Sequence, residues 1–347
     1  MRAVVYRGVN DLRLETLPVP KVASKELLVK VAVCGVCPTD IKKIQYGTVA
    51  PPRVFGHETS GTIVKLGARV RGFKTGDRIA MHHHVPCMKC HACRHRAFAQ
   101  CPQYKKTGIT AGFEPAGGGY AEYVRVMPFV FPGIVKIPAR NSFLEGAMVE
   151  PVNTVLKAIR RLNILPGDRV LVVGQGPIGL MFTRLLSLQK TCVIASDLLP
   201  ERLVIAKQFG AKHVVLAGKI QNPKSKIQNS VDAVIMAVPV DDSVREALEL
   251  VRGAGQVLLF AHTKRDAETM IDLSKICVDE KDLIGSYSSD ITLQDEVARL
   301  IFSRKLDVRK LITHRFPLAR TADAIALAAK PTPQSLKIVV EPELADH

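Results

Sequence analysis

The chain has 347 residues, 47% of them hydrophobic, which is more than one ordinary core needs and suits two domains. No apolar run reaches the roughly 18–20 residues of a membrane span. Charges at Arg2, Arg7, Asp11, Arg13 and Glu15 leave no room for a signal-peptide core, so a cytoplasmic protein without a membrane partner is expected. The formal net charge of +17 raises nucleic-acid binding, but the densest basic runs, 69–74 and 219–226, are short and lack interleaved aromatics. They read as a solvated surface, and no nucleic-acid partner is expected.

Residues 1–150 read as a β module. Short apolar runs at 3–6, 27–33, 59–66, 77–81 and 121–126 are broken by turn residues such as Pro18, Pro20, Gly47, Pro51, Pro52 and Gly76. From about residue 151 apolar strands alternate with helical stretches. The strand at 169–174 precedes a helix over 177–190, and the strand at 192–197 precedes a helix over 200–210. Further strands follow at 213–216, 231–236 and 256–261, the last after an amphipathic stretch at 241–253, and a strand at 335–342 closes the chain. Such alternation predicts a parallel sheet covered on both faces, hence an α/β protein.

Gly174-Gln175-Gly176-Pro177-Ile178-Gly179 is a GxGxxG that follows a strand and opens a helix, the context the motif requires. Gly174 permits the tight turn, Gly176 lets the backbone approach a pyrophosphate, and Gly179 lets helix and strand pack closely. Pro177 suits the first helical turn. Asp197 ends the next strand, where an acid binds the ribose hydroxyls and repels a 2′-phosphate, so NAD is the expected cofactor. Ile178 and Arg202 complete this cofactor-binding set.

Cys87, Cys90, Cys93 and Cys101 have the spacing of a closed tetrahedral zinc shell, a structural site. His91 and His95 within it are expected to face solvent, because four thiolates suffice. A second set is less obvious. Cys37, His57 beside Glu58, and Glu150 read individually as a buried cysteine, a core histidine and a surface acid. Together, a cysteine, a histidine and a carboxylate with one open position make a catalytic zinc site.

The segments 34–40, 51–61, 73–80, the four-cysteine stretch, 118–123, Glu150-Pro151, 166–180 and 335–340 resemble the zinc-containing medium-chain alcohol dehydrogenases, especially the sorbitol (polyol) and threonine dehydrogenase branch. The resemblance runs from Met1 to about Pro342. It implies a chaperonin-10-like β-rich catalytic domain over 1–152, with 288–347 returning to it, and a Rossmann doubly wound cofactor domain over 153–287. It implies two zinc ions per chain, a homodimer or homotetramer, and a small-molecule alcohol or ketone as substrate.

Matched residue by residue, the resemblance makes Cys37, His57 and Glu150 the ligands of the catalytic zinc and Glu58 an acid able to approach it. Thr39 becomes the hydroxyl that meets the substrate oxygen, and Asp40 the carboxylate that orients the histidine. Thr154 falls at the nicotinamide and Lys337 at the pyrophosphate. Lys42 stands where many relatives carry a relay histidine, so a proton relay ends there or at water. Pro38 stiffens the turn after Cys37, and Cys34 reads as a buried bystander. Of the run His82-His83-His84, His83 and His84 are expected to line the substrate pocket. A polar pocket favours hydride transfer between NAD and a secondary carbinol of a polyol. The alternatives are a threonine-type amino alcohol and a non-catalytic dinucleotide-binding protein.

Overall fold

The computed structural model describes residues 1–104, 106, 108–114, 117–217, 230–239, 243–261 and 268–345. The basic run at 219–226 and the first two residues of the amphipathic stretch at 241–253 lie outside them. The chain divides into two units, Met1–Asn153 with Ser289–His347, and Thr154–Ser288. No helix among the described residues is long and apolar enough to cross a membrane.

In the first unit the strand Leu27–Gly35 is buried along nearly its whole length, because other strands pair with it on both edges. A register shift between Val31 and Val33 divides its side chains. Leu27, Val29 and Val31 enter a core with Ile63, Ile79, Met81 and Val124, while Val33 packs with Ala147 and Val339. Glu58–Leu66 and Arg78–Met81 continue the sheet on one side, and Lys337–Glu341 and Ile312–Pro317 on the other. Arg2–Gly8 and Asp11–Thr16 form a separate hairpin.

The first 150 residues are not all β. A helix spans Pro38–Tyr46, started by a proline at its first turn and stopped by Gly47 at φ 61°. Another, Phe143–Ala147, begins at a capping box in which Ser142 and Glu145 bond each other's backbone N–H. A third runs Val149–Ile159.

The second unit holds six strands in the order His213–Leu216, Cys192–Asp197, Arg169–Val173, Val231–Met236, Val251–Leu259 and Asp282–Gly285. Every adjacent pair is parallel. In chain order this is 3-2-1-4-5-6, the Rossmann arrangement, and the first strand turns into the helix Pro177–Leu188 at the glycine motif. The amphipathic stretch ends earlier than its sequence pattern suggests. Its helix stops at Leu250, and a strand begins at Val251, whose branched side chain packs into the sheet core.

Candidate active site

Cys37 caps the helix Pro38–Tyr46 from an extended backbone, which leaves its sulfur at the end of the preceding strand. His57 and Glu58 sit at the start of the neighbouring strand. Sulfur, imidazole nitrogen and carboxylate oxygen of these three residues all lie within 4.8 Å of one another. His57 Nδ1 is 3.2 Å from Asp40 Oδ1, and both side chains are buried. That contact leaves Nε2 as the metal-facing nitrogen, the usual arrangement of a zinc-bound histidine. Burial opposes charge on the His57 ring, yet the Asp40 carboxylate and the Cys37 thiolate hold its pKa well above the usual value. Burial likewise opposes charge on Asp40, but His57 keeps it low. This donor set fits a zinc ion.

Glu150 is not in that group of three. It lies in the first turn of the helix Val149–Ile159, and burial pushes its carboxyl up to about 7. His57 and Lys337 favour its charge, while Glu58 and Asp40 oppose it. The sequence named Glu150 as ligand and Glu58 as the acid nearby, whereas the geometry groups Glu58 with Cys37 and His57.

Lys337 has a partner that the sequence did not name. Its strand pairs antiparallel with the end of Leu27–Gly35, which sets Lys337 beside Glu58. The two form a buried ion pair, and Lys337 Nζ donates a 2.9 Å hydrogen bond to the Val36 carbonyl. Gly35, unremarked in the sequence, makes room for it: a Cβ there would lie 1.9 Å from Glu58 Oε2. Only the register across strands reveals that need.

Thr39 is half-buried and its hydroxyl donates to Cys37 Sγ at 3.2 Å. Lys42 follows on the same helix, where partial burial lowers its amine's pKa. The histidine run begins just past the strand Arg78–Met81, so strict alternation does not govern it. His82 turns inward and meets Ser289 Oγ at 2.5 Å, and Ser289 Oγ in turn meets Tyr104 OH at 3.0 Å. His83 packs its ring on His57, with centroids 4.7 Å apart. His84 packs on His83 at 3.9 Å and on Tyr104 at 5.1 Å. Burial lowers all three, His82 to about 3 and His84 to about 4. Sequence reasoning missed Tyr104 and Ser289, which lie 185 residues apart.

The sulfurs of Cys87, Cys90, Cys93 and Cys101 also lie within 4.8 Å of one another. Backbone N–H groups of Cys87 and Cys90 donate to Cys101 Sγ and Cys87 Sγ, both at 3.4 Å. Burial pushes the Cys101 thiol up, but the backbone donors outweigh it and bring it down to about 6. Burial and the neighbouring thiols push Cys93 up to about 12, so the backbone donors favour the thiolate at Cys101 and not at every sulfur, but four sulfurs gathered around one point fit a closed zinc site. His91 and His95 are exposed and stack on each other.

In the second unit Gly174 turns at φ 89°, and a Cβ on Gly179 would lie 1.7 Å from the Gly174 carbonyl oxygen. In front of Gly176 the space is open: the nearest atom to a Cβ there is Arg202 Nη1 at 3.9 Å. Open space at a helix N-terminus, with Pro177 and Ile178 in its first turn, fits a pyrophosphate. Asp197 Oδ2 and Oδ1 accept the backbone N–H groups of Gln175 and Leu199, at 2.6 and 2.9 Å. Arg202 Nη1 is 3.9 Å from Asp197 Oδ2. Thr154 begins this unit, half-buried on its helix.

Family comparisons agree with this layout. Residues 23–139 match the alcohol dehydrogenase GroES-like domain, and residues 177–303 match the zinc-binding dehydrogenase domain. The chain is 31% identical to the sorbitol dehydrogenase of Bombyx mori over 98% of this chain and 98% of that protein. The chain belongs to the zinc-containing medium-chain alcohol dehydrogenases, in their sorbitol dehydrogenase branch. Its fold matches a zinc-binding dehydrogenase from Sinorhizobium meliloti bound to NADP, with a TM-score of 0.88, 25% identity and coverage of 98% and 99% of the two chains. It also matches the 2R,3R-butanediol dehydrogenase of Bacillus subtilis, with a TM-score of 0.85, 26% identity and 99% of each chain covered.

Proposed function

We propose that the protein transfers a hydride between NAD and a secondary carbinol of a polyol. The observation that carries this reading is the grouping of Cys37, His57 and Glu58 around one point, with Asp40 behind the histidine. A zinc ion held by Cys37, His57 and a carboxylate from Glu58 or Glu150 supplies a Lewis acid for the alcohol oxygen. Thr39, beside the Cys37 sulfur, is placed to take the substrate's hydroxyl proton and pass it to Lys42 or water. His83 and His84 line the polar side of the site, which suits a substrate with several hydroxyls. Sorbitol and butanediol, named for two of the relatives, are substrates of that class.

Asp197 supports NAD over NADP. Two backbone N–H groups pin its carboxylate in place, and a 2′-phosphate brought to it meets a fixed negative charge. The second unit is then the cofactor domain, and the first carries both zincs. Thr154 and Lys337 are proposed cofactor contacts, Lys337 doing so only while also neutralising Glu58. The four-cysteine zinc holds its loop folded. A reducing, cytoplasmic compartment suits these thiols. Met270, Leu273, Val278, Leu283 and Tyr287 are exposed within 18 residues around the sheet's outer strand, and we take them as the contact of a homo-oligomer. An assay of NADH formation over polyols, threonine and simple secondary alcohols tests the function. Turnover confined to polyols supports it, and turnover with threonine alone overturns it.

A further inference from the structure

The Gly174 N–H ties the glycine turn to the Ser196 carbonyl at 2.7 Å, but the turn has few side chains of its own to hold it still. Gly174 and Gly176 lack side chains, and a chain rich in glycine loses the most freedom on ordering. A turn that must order itself around each incoming pyrophosphate binds it more weakly than one already set. The residue between those glycines is Gln175, fully buried, with both its amide nitrogen and its amide oxygen bonded. Its Nε2 donates to the Val172 carbonyl at 3.0 Å, at the end of the strand. Its Oε1 accepts from the Thr183 hydroxyl at 2.9 Å, two turns into the helix. Its backbone N–H donates to Asp197 Oδ2. One residue thus ties the first strand, the helix and the acid of the second strand to the turn. Thr183 is itself fully buried, and it spends its hydroxyl on Gln175 rather than on the carbonyl one helical turn back that such hydroxyls often take.

We infer that Gln175, braced by Thr183, is the positioning residue that sets the glycine turn for the cofactor's pyrophosphate. The inference rests on the dinucleotide reading of that turn. The Gln175 side chain is fully buried and bonded to protein groups at both ends of its amide. It acts through the backbone N–H groups that follow it, by keeping them aimed at one point before the ligand arrives.

The test uses the full chain and NADH, whose own fluorescence reports binding. Gln175→Ala should raise the NADH Kd by roughly tenfold, as expected for losing a satisfied buried hydrogen-bond pair. Thr183→Val should raise it by roughly threefold to fivefold, and Thr183→Ser, which keeps the hydroxyl, should restore it to within about twofold. The double variant Gln175→Ala/Thr183→Val should bind no worse than Gln175→Ala, because Thr183 acts through Gln175. Without NADH, amide hydrogen exchange over 174–179 should quicken in Gln175→Ala. Wild-type Kd and exchange in the variants, with only a lowered melting temperature, would overturn the positioning role. Effects that add in the double variant would do the same. If Gln175→Ala does not fold, the Thr183→Val and Thr183→Ser pair decides by itself. A wild-type protein that binds no NADH overturns the dinucleotide reading itself, a different result from tight wild-type binding left untouched by the variants.

Discussion

Lys337 and Glu58 form an ion pair buried inside the first unit, with the Val36 carbonyl accepting a hydrogen bond from the lysine. Removing one partner strands the other charge away from water. Lys337→Met should therefore destabilise the protein by about 3 kcal/mol or more, measured by urea unfolding. The double variant Lys337→Met/Glu58→Gln should recover much of that loss. Equal stability of Lys337→Met and wild type would show that the pair is open to solvent.

Asp40 Oδ1 faces His57 Nδ1 at 3.2 Å, and Asp40 Oδ2 accepts the Tyr120 hydroxyl at 3.5 Å. Asp40→Asn should weaken zinc binding at the Cys37 site by about 10–100-fold, because the ring loses its orienting carboxylate. Competition with a chromogenic chelator measures this, and unchanged zinc retention would remove Asp40 from the site's support.

Cofactor choice rests on Asp197. Asp197→Ala should lower kcat/KM with NAD and raise the ratio of NADP to NAD turnover, since the ribose acceptor and the repelling charge go together. Comparison of initial rates with the two cofactors settles it. A wild type that prefers NADP would contradict the reading of this strand end.

The pH dependence of stability has a named contributor. Burial holds the His82 pKa down at about 3, against an unfolded value of about 6.5. Between those values the unfolded chain binds a proton that the folded one does not, so stability falls as the pH drops below about 6.5. The slope from this residue is at most about 1.4 kcal/mol per pH unit. His82→Gln keeps a polar partner for Ser289 and removes the titration. Its urea midpoint should therefore fall less than that of the wild type between pH 7 and pH 5. A parallel fall would assign the acid sensitivity elsewhere.

Motifs that are local in sequence were legible, and relationships made by pairing were not. The glycine turn, the four cysteines and the alternation of strands and helices all lie within short windows, where spacing fixes geometry. Cys37 and His57 were readable as residue types, but their approach depends on the register of neighbouring strands. Lys337 shows the limit most clearly. Its partner Glu58 and the vacancy at Gly35 come from three strands, and no single window contains them. The helix Pro38–Tyr46 was hidden by the β-rich sequence around it, although Pro38 and Gly47 mark its two ends. His82 turned inward because the strand ends one residue before it, where a period of two no longer applies.

The most direct test of the account measures zinc content and polyol turnover on one preparation of Cys37→Ala. A folded protein with about one zinc per chain, NADH binding kept and turnover nearly gone is the predicted result, because the four-cysteine site and the glycine turn are separate from the removed ligand. Wild-type turnover by Cys37→Ala would contradict the zinc-dependent mechanism.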